Sequence, residues 1–349
     1  MSEKRGGSEE GMGKSRFIEH LKEGDRLDDV FLVKSARISE TKAGKNYLIL
    51  TVIDRSGELS GPVWDNVEAC QRVCIPGEFI QLKGLVQSFR EKLQLKVETV
   101  HEVNRDSVDL ADFIAAAAGN PQEMAEEIQR LVHSVKDPFL RKLLNQFFKA
   151  GEVWERFQKA PAAKGIHHAY VGGLMEHCLS MARIAEMMAG HYEGVNRSLL
   201  IAGALLHDIG KVEELVMEVG IVDYTDRGRL KGHLVIGSEM VGAAAARISG
   251  FPQDLLTQVQ HLILSHHGRQ EFGSPTVPMT AEALLLSFID DLDAKMNILS
   301  QLRRKMNEGE MQWTDYQRPL ERYLYLEGFR EKTGQEEAAD MPVRQQSLF

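Results

Sequence analysis

His207 and Asp208 are adjacent at the close of an apolar stretch, and five more side chains able to bind a metal lie on other segments of the same half of the chain: His177, His233, His266, His267 and Asp290. Two neighbours cannot complete a coordination shell by themselves, so the chemistry lies in the supply of imidazole and carboxylate from several separate segments. The set is large enough for two ions. A single inward histidine is ordinarily a hydrogen-bonded core residue, and His20, His101, His133 and His191 are read that way. The tandem His266-His267, closed by Gly268 after an apolar run, resists that reading, because each buried ring nitrogen needs a partner.

The elements that must position these donors follow from periodicity. A helix from about Gly173 to Gly190 places His177 on one face with Met181, Ile184 and Met188, so His177 points inward. SLLIAGALLHDIGK predicts an apolar helix with His207 and Asp208 at its buried end and Gly210 releasing the backbone. Asp290 lies in AEALLLSFIDDLDAKMN, another largely apolar helix. An unpaired carboxylate there is costly, and a divalent cation is the common remedy. From Ala160 to about Phe329 the pattern is almost wholly helical, apart from ELVMEVGIVDYTDRGRLKG, where Gly and β-branched residues predict a small hairpin.

The N-terminal part has a different period. FLVKSARIS, NYLILTVID, LSGPVW, FIQLKGLVQSF and KLQLKVETV alternate as strands, with Gly, Asn and Asp at their joints. Five short strands predict an all-β OB-type barrel, a fold that binds single-stranded nucleic acid with aromatic platforms and cations along the backbone. The candidates for such a face are Phe31, Lys34, Arg37, Lys42, Lys45, Tyr47, Trp64, Phe89, Arg90 and Lys92. Between Lys14 and Glu102 there are 14 Lys plus Arg and 14 Asp plus Glu, so the module has no net basic charge and its aromatics are equally candidates for its core.

A helical connector follows, with DLADFIAAAAG ended by Gly119, PQEMAEEIQRLVHSV begun by Pro121, and DPFLRKLLNQFFKAGEVWERF. Its apolar stripe suits packing between domains or against further copies of the chain. The expected organisation is therefore a disordered N-terminus over 1–14, an OB module over 15–105, the connector over 106–159, an all-α metal-dependent domain over 160–330, and a flexible tail over 331–349.

Composition narrows the classes. At 349 residues, 43% hydrophobic and 27% charged, the chain is an ordinary multidomain soluble protein. No apolar h-region opens it and no run reaches the roughly 18 apolar residues of a spanning helix, so it is read as cytoplasmic with no membrane partner. Cys70, Cys74 and Cys178 lack paired spacing and are read as reduced, partly buried thiols. A net charge of -9 argues against coating nucleic acid by bulk attraction, though not against a local positive groove.

In order, spacing and flanking helices, the seven donors resemble the HD phosphohydrolase superfamily in its two-metal version. Together with the strand-rich module and the segments KGIHHAYVGGLMEHCLSM, LLHDIGK, ILSHHG and FIDDLDAKMN, the chain resembles the YhaM-type 3′-5′ exoribonucleases from about residue 15 to about residue 330. The resemblance implies that His177, His207, Asp208 and Asp290 hold one ion, and that Asp208 bridges to a second held by His233, His266 and His267. It prefers Asp290 to Asp291 and Asp293, which leaves those two to orient ligands or face water. It makes Lys211 a phosphate contact, a role that competes with that of a helix-end lysine. His167 and His168, just ahead of the first metal helix, are further candidates for substrate phosphate.

The implied chemistry is attack by water activated between two cations about 3.5 to 4 Å apart, with no serine or cysteine nucleophile. Mixed imidazole and carboxylate donors suit manganese, iron, cobalt or nickel better than calcium. The resemblance puts manganese first, with magnesium also in the set. RNA is favoured as substrate and DNA stays open. Two other functions compete. One is an HD hydrolase of a small nucleotide, although GRQEFGSPTVPM lacks the GYP triplet of the cyclic-dinucleotide subgroup. The other is a replication-accessory DNA-binding protein, because Gln345, Ser347, Leu348 and Phe349 in the terminal QQSLF resemble the peptide that docks on the bacterial sliding clamp.

Overall fold

Two-residue alternation builds most of the N-terminal sheet, broken in β1 by the buried run Asp29 to Val33. The computed structural model describes residues 14–89, 92–117, 119–164, 170–304 and 306–329. Five strands form first: β1 (Arg26–Glu40), β2 (Asn46–Asp54), β3 (Gly57–Val63), β4 (Phe79–Phe89) and β5 (Lys92–Val103), with a short helix α1 (Val67–Val73) between β3 and β4. In β2, Leu48, Leu50 and Val52 enter the core while the intervening Ile49 stays exposed. The order is β3-β2-β1-β4-β5, all antiparallel.

One long strand makes this sheet curl. The first half of β1 pairs with β4 and its second half with β2, and a register shift between Val33 and Ser35 bends it where the two halves meet. The outer edges then approach. A Cβ on Gly61 of β3 would lie 1.7 Å from the carbonyl oxygen of Leu95 in β5, so the two backbones touch. Phe31, Leu48, Leu50, Ile80, Leu82 and Leu95 fill the interior.

The first part of the connector departs from the sequence expectation. Among the described residues, the Ala-rich segment from Asp109 makes only one 3-10 turn, at Leu110–Asp112, after another at Arg105–Ser107. Phe113 is then buried edge-on against Phe79, with ring centroids 4.9 Å apart. Next, Ala115 and Ala117 exchange backbone hydrogen bonds with Val171 at 3.0 and 2.9 Å. Tertiary backbone pairing thus outweighs the helix preference of alanine. The rest is helical: α2 (Pro121–Ser134) capped by Asn120, α3 (Pro138–Phe148) capped by Asp137, and α4 (Glu152–Lys159) after a break at Gly151.

Helices α5 (Gly173–His191), α6 (Arg197–Leu206), α7 (Lys211–Glu214), α8 (Asp226–Ala246), α9 (Gln253–Ser265) and α10 (Ala281–Arg304) complete the helical part. The expected hairpin interrupts them as β6 (Leu215–Glu218) and β7 (Ile221–Tyr224), although TDRGRLKG beyond it already belongs to the start of α8. Leu200, Leu205, Leu262, Ile263 and Leu286 lie at the centre of the shared core.

Two compact units divide the chain between Asp290 and Asp291. Within the second unit, β8 (Met311–Trp313) pairs with β9 (Tyr325–Glu327). Helix was expected there, but Trp313 lies opposite Tyr325 with ring centroids 5.1 Å apart, a cross-strand aromatic pair that favours the hairpin. The described cysteines are free, as expected, and burial pushes the Cys74 thiol up to about 12. Among the described residues no helix is long and apolar enough to cross a membrane.

Candidate metal centre

The donors reach the centre from five elements, α5, the end of α6, α8, the end of α9 and α10. His177 sits on the buried side of α5 with Met181. His207 caps the C-terminus of α6, and Asp208 follows in the turn into α7. Gly210 keeps helical angles rather than releasing the backbone. It is required because a Cβ there would lie 2.1 Å from the carbonyl oxygen of His233 in α8. α8 kinks at Gly232, whose φ of 71° suits glycine, and His233 comes immediately after. His266 and His267 follow the end of α9, and Asp290 lies within α10.

The donors form two sets around one carboxylate. His177 Nε2 lies 3.1 Å from His207 Nε2 and 3.2 Å from Asp290 Oδ1. Asp208 Oδ2 faces the same set, 3.3 Å from His207 Nε2 and 3.7 Å from His177 Nε2. Its other oxygen, Oδ1, faces the second set, 3.4 Å from His233 Nε2 and 3.6 Å from His266 Nε2. His233 Nε2 lies 3.3 Å from His267 Nε2. Atoms that share an ion at bond lengths of about 2.0–2.2 Å stand about 3–3.5 Å from one another, so the spacing is that of coordination-shell edges.

Tautomers make the fit sharper. The Nδ1 atoms of His207, His266 and His267 lie 3.0, 2.7 and 3.0 Å from the carbonyl oxygens of Ala204, Ile263 and Phe272, and that of His233 lies 3.1 Å from Glu214 Oε1. Each Nδ1–H therefore donates, and each Nε2 presents a bare lone pair. Two such lone pairs facing at 3.3 Å repel each other unless a cation stands between them. Asp208 Oδ1 is buried and finds no hydrogen-bond partner among the described residues. These are the signs of a divalent metal site, with His177, His207 and Asp208 in one cluster and His233, His266 and His267 in the other.

The electrostatics prepare both kinds of donor. Burial opposes the charge of Asp208, but the Lys211 ammonium beside it outweighs that effect and holds the carboxyl well below its usual range. Asp290 is likewise held down against its burial, chiefly by its hydrogen bond with His177. Burial, helped by His207, pushes His266 well below 6.5; burial and His233 lower His267. Both states favour metal, which needs ionised carboxylates and neutral rings. Lys211 Nζ lies 2.6 Å from Asp208 Oδ2 and is kept protonated by that carboxylate despite its burial.

Comparison with known proteins agrees with this geometry. Residues 174–295 match the HD domain family, a span that contains all seven donors. Over 299 residues the chain is 34% identical to the 3′-5′ exoribonuclease YhaM of Geobacillus sp. (strain WCH70), which covers 85% of this chain and 90% of the relative. The Bacillus subtilis (strain 168) protein of the same name is 35% identical over 288 residues, 82% of this chain and 90% of the relative. The same coverage holds for the protein of that name from Oceanobacillus iheyensis, at 36% identity.

The chain belongs to the YhaM family.

Glu214 is the contact that sequence reasoning missed. Its carboxylate accepts from both the backbone N–H (2.9 Å) and Nδ1 of His233, and these bonds lower its pKa against the effect of burial. Nothing in KVEEL separates it from the neighbouring Glu213. Asp291 turns away to Lys295 at 2.5 Å, whereas Asp290 faces His177.

The expected nucleic-acid contacts divide. Phe31 must be corrected: it is 0% exposed, deep in the core of the sheet, with Lys14 Nζ 3.4 Å above its ring, so no base can stack on it. Tyr47 and Trp64 stack on each other with centroids 4.6 Å apart, and Trp64 keeps 43% of its surface exposed. Phe89 is also exposed, as are Arg37, Lys42, Lys45 and Lys92, while Lys34 is paired with Glu58. Arg90, His167, His168, Gln345, Ser347, Leu348 and Phe349 lie outside the described residues, as do the termini over 1–13 and 330–349.

Proposed function

We propose that this protein is a metal-dependent 3′-5′ exoribonuclease that removes nucleotides from single-stranded RNA. The carrying observation is Asp208, whose two oxygens each face a separate cluster of bare imidazole nitrogens. His177, His207, Asp208 and Asp290 would hold one ion, and Asp208, His233, His266 and His267 a second. Divalent ions there supply a nucleophile from water at neutral pH and positive charge for the phosphoryl oxygens. The donor chemistry favours manganese, with cobalt, iron, nickel and magnesium as alternatives.

The remaining work belongs to the chain's own groups. Backbone carbonyls and Glu214 fix the rings so that no reorganisation is needed when phosphate arrives. Lys211, protonated beside Asp208, offers a cation to a non-bridging phosphate oxygen.

The strand order, the contact between β3 and β5, and the helix between β3 and β4 support an OB-type barrel for residues 15–105. Its half-buried Tyr47 and exposed Trp64 would take bases, with the exposed Phe89, Lys42 and Lys45 as further contacts. The connector over 106–159 and the HD-type domain over 160–330 complete this reading, which places the enzyme with its RNA substrate in the cytoplasm.

The test is a His207→Ala, Asp208→Ala double variant assayed on a 5′-labelled oligoribonucleotide, a matched DNA strand and free nucleotides with each metal in turn. Nucleotide release should vanish while strand binding persists. A wild-type enzyme that hydrolyses only free nucleotides would overturn the reading.

A further inference from the structure

Apart from the metal centre, a cavity of about 360 Å3 is lined by Tyr224, Gly228 and Arg229, where β7 hands the chain to α8. Tyr224 supplies an aromatic wall. Lys164 Nζ lies 5.3 Å and Arg229 Cζ 5.7 Å from the centroid of its ring. The two cations share one acid: Asp223 Oδ1 is 2.5 Å from Lys164 and 2.8 Å from Arg229. One carboxylate between two cations leaves a net positive charge beside the ring. The neighbouring Arg227 and Lys231 differ, since Glu213 and Glu239 balance them.

The cavity is mechanically tied to the metal centre. A Cβ on Gly228 would lie 2.2 Å from the carbonyl oxygen of Glu214, the same residue whose carboxylate holds His233. Arg229 precedes that metal donor by four residues, across the kink at Gly232. A volume near the lower end of small-ligand pockets suits one nucleotide rather than a run of them. A ring with flanking cations suits a base and a phosphate.

We infer that this cavity is a subsite for one nucleotide of the RNA strand, its base against Tyr224 and its phosphate on the outer side of the Lys164 and Arg229 pair that Asp223 joins. The inference rests on the exoribonuclease reading and deepens it. Tyr224→Ala and Arg229→Ala should each raise KM for an oligoribonucleotide about tenfold, the order expected for one lost stacking or phosphate contact, with kcat nearly unchanged. Tyr224→Phe should behave as wild type. Hydrolysis of bis(p-nitrophenyl) phosphate, which has no base or second phosphate, should be untouched in all three.

Alanine variants that match the wild type on RNA overturn the inference, and so does an equal loss on the small diester. Weaker inhibition by adenosine 5′-monophosphate with an unaltered KM for RNA also overturns it, in favour of a product site. A wild-type enzyme that cleaves the small diester but not RNA fails earlier, at the exoribonuclease reading itself.

Discussion

The metal centre and the sheet surface were proposed from the same kind of evidence, residue types in a plausible place, and they fared differently. At the centre, His177, His207, Asp208, His233, His266, His267 and Asp290 come together. On the sheet, Phe31 is core while Trp64 and Phe89 are exposed. The difference lies in the cost of burial. A buried imidazole or carboxylate without a partner is expensive, so a cluster of them in apolar helices implies something that stabilises it. A buried phenylalanine costs nothing, and the same letters serve core and platform alike.

The sharpest way to break the comparison is at Asp208. Asp208→Asn removes the charge that both imidazole clusters face, and RNA release should fall to background with loss of bound metal, read by metal analysis of the purified variant. Retained activity would mean that the two sets do not share this group. On the sheet side the largest effect should be one of stability. Phe31→Ala should cost about 3–5 kcal/mol in denaturant unfolding, the usual penalty for an emptied aromatic core site, with RNA affinity kept while the protein stays folded. A Phe31→Ala protein of normal stability that no longer binds RNA would restore the platform role.

Glu214 comes next in magnitude. It touches no ion in this reading, yet it holds the proton on His233 Nδ1. Glu214→Gln should weaken metal affinity about 10- to 100-fold, the range for lost outer partners of metal ligands, measured by titration of metal into chelator-treated protein. Smaller still is Trp64→Ala, which should raise the RNA dissociation constant about tenfold while leaving unfolding nearly unchanged. An unaltered dissociation constant would return Trp64 to the status of a surface residue packed on Tyr47.

The reach of the sequence follows the same physics. Five strands and the donor helices were legible because alternation and 3.6-residue stripes record burial directly. All five strand segments contain or overlap those observed. What was illegible depended on partners distant in the chain. Ala115 and Ala117 look helical until Val171 claims their backbone hydrogen bonds. Gly210 looks like a chain-release residue until the backbone of α8 lies against it. Glu214 looks like any surface glutamate, and no local pattern announces that a kink at Gly232 will bring His233 onto it.

The smallest expected effect separates the two regions by pH. Burial lowers the folded-state pKa of His266 and His267 below the unfolded value near 6.5. Below that value the unfolded chain takes up protons that the folded rings refuse, so stability rises with pH through this window and is fully present only above it. Acidic groups act lower down: Asp208, Asp290 and Glu214 are depressed carboxyls, whose contribution is lost only as pH falls below their ordinary range. Chelator-treated protein should therefore melt at a lower temperature at pH about 5.5 than at about 7.5, a gap attributable to the imidazoles rather than the carboxylates. His267→Gln should narrow that gap, since glutamine does not titrate, whereas Trp64→Ala should leave it as it was. A melting temperature that is flat across the window would mean that the paired rings are protonated or exposed in the folded protein, and the two facing lone pairs at the heart of the metal argument would be gone.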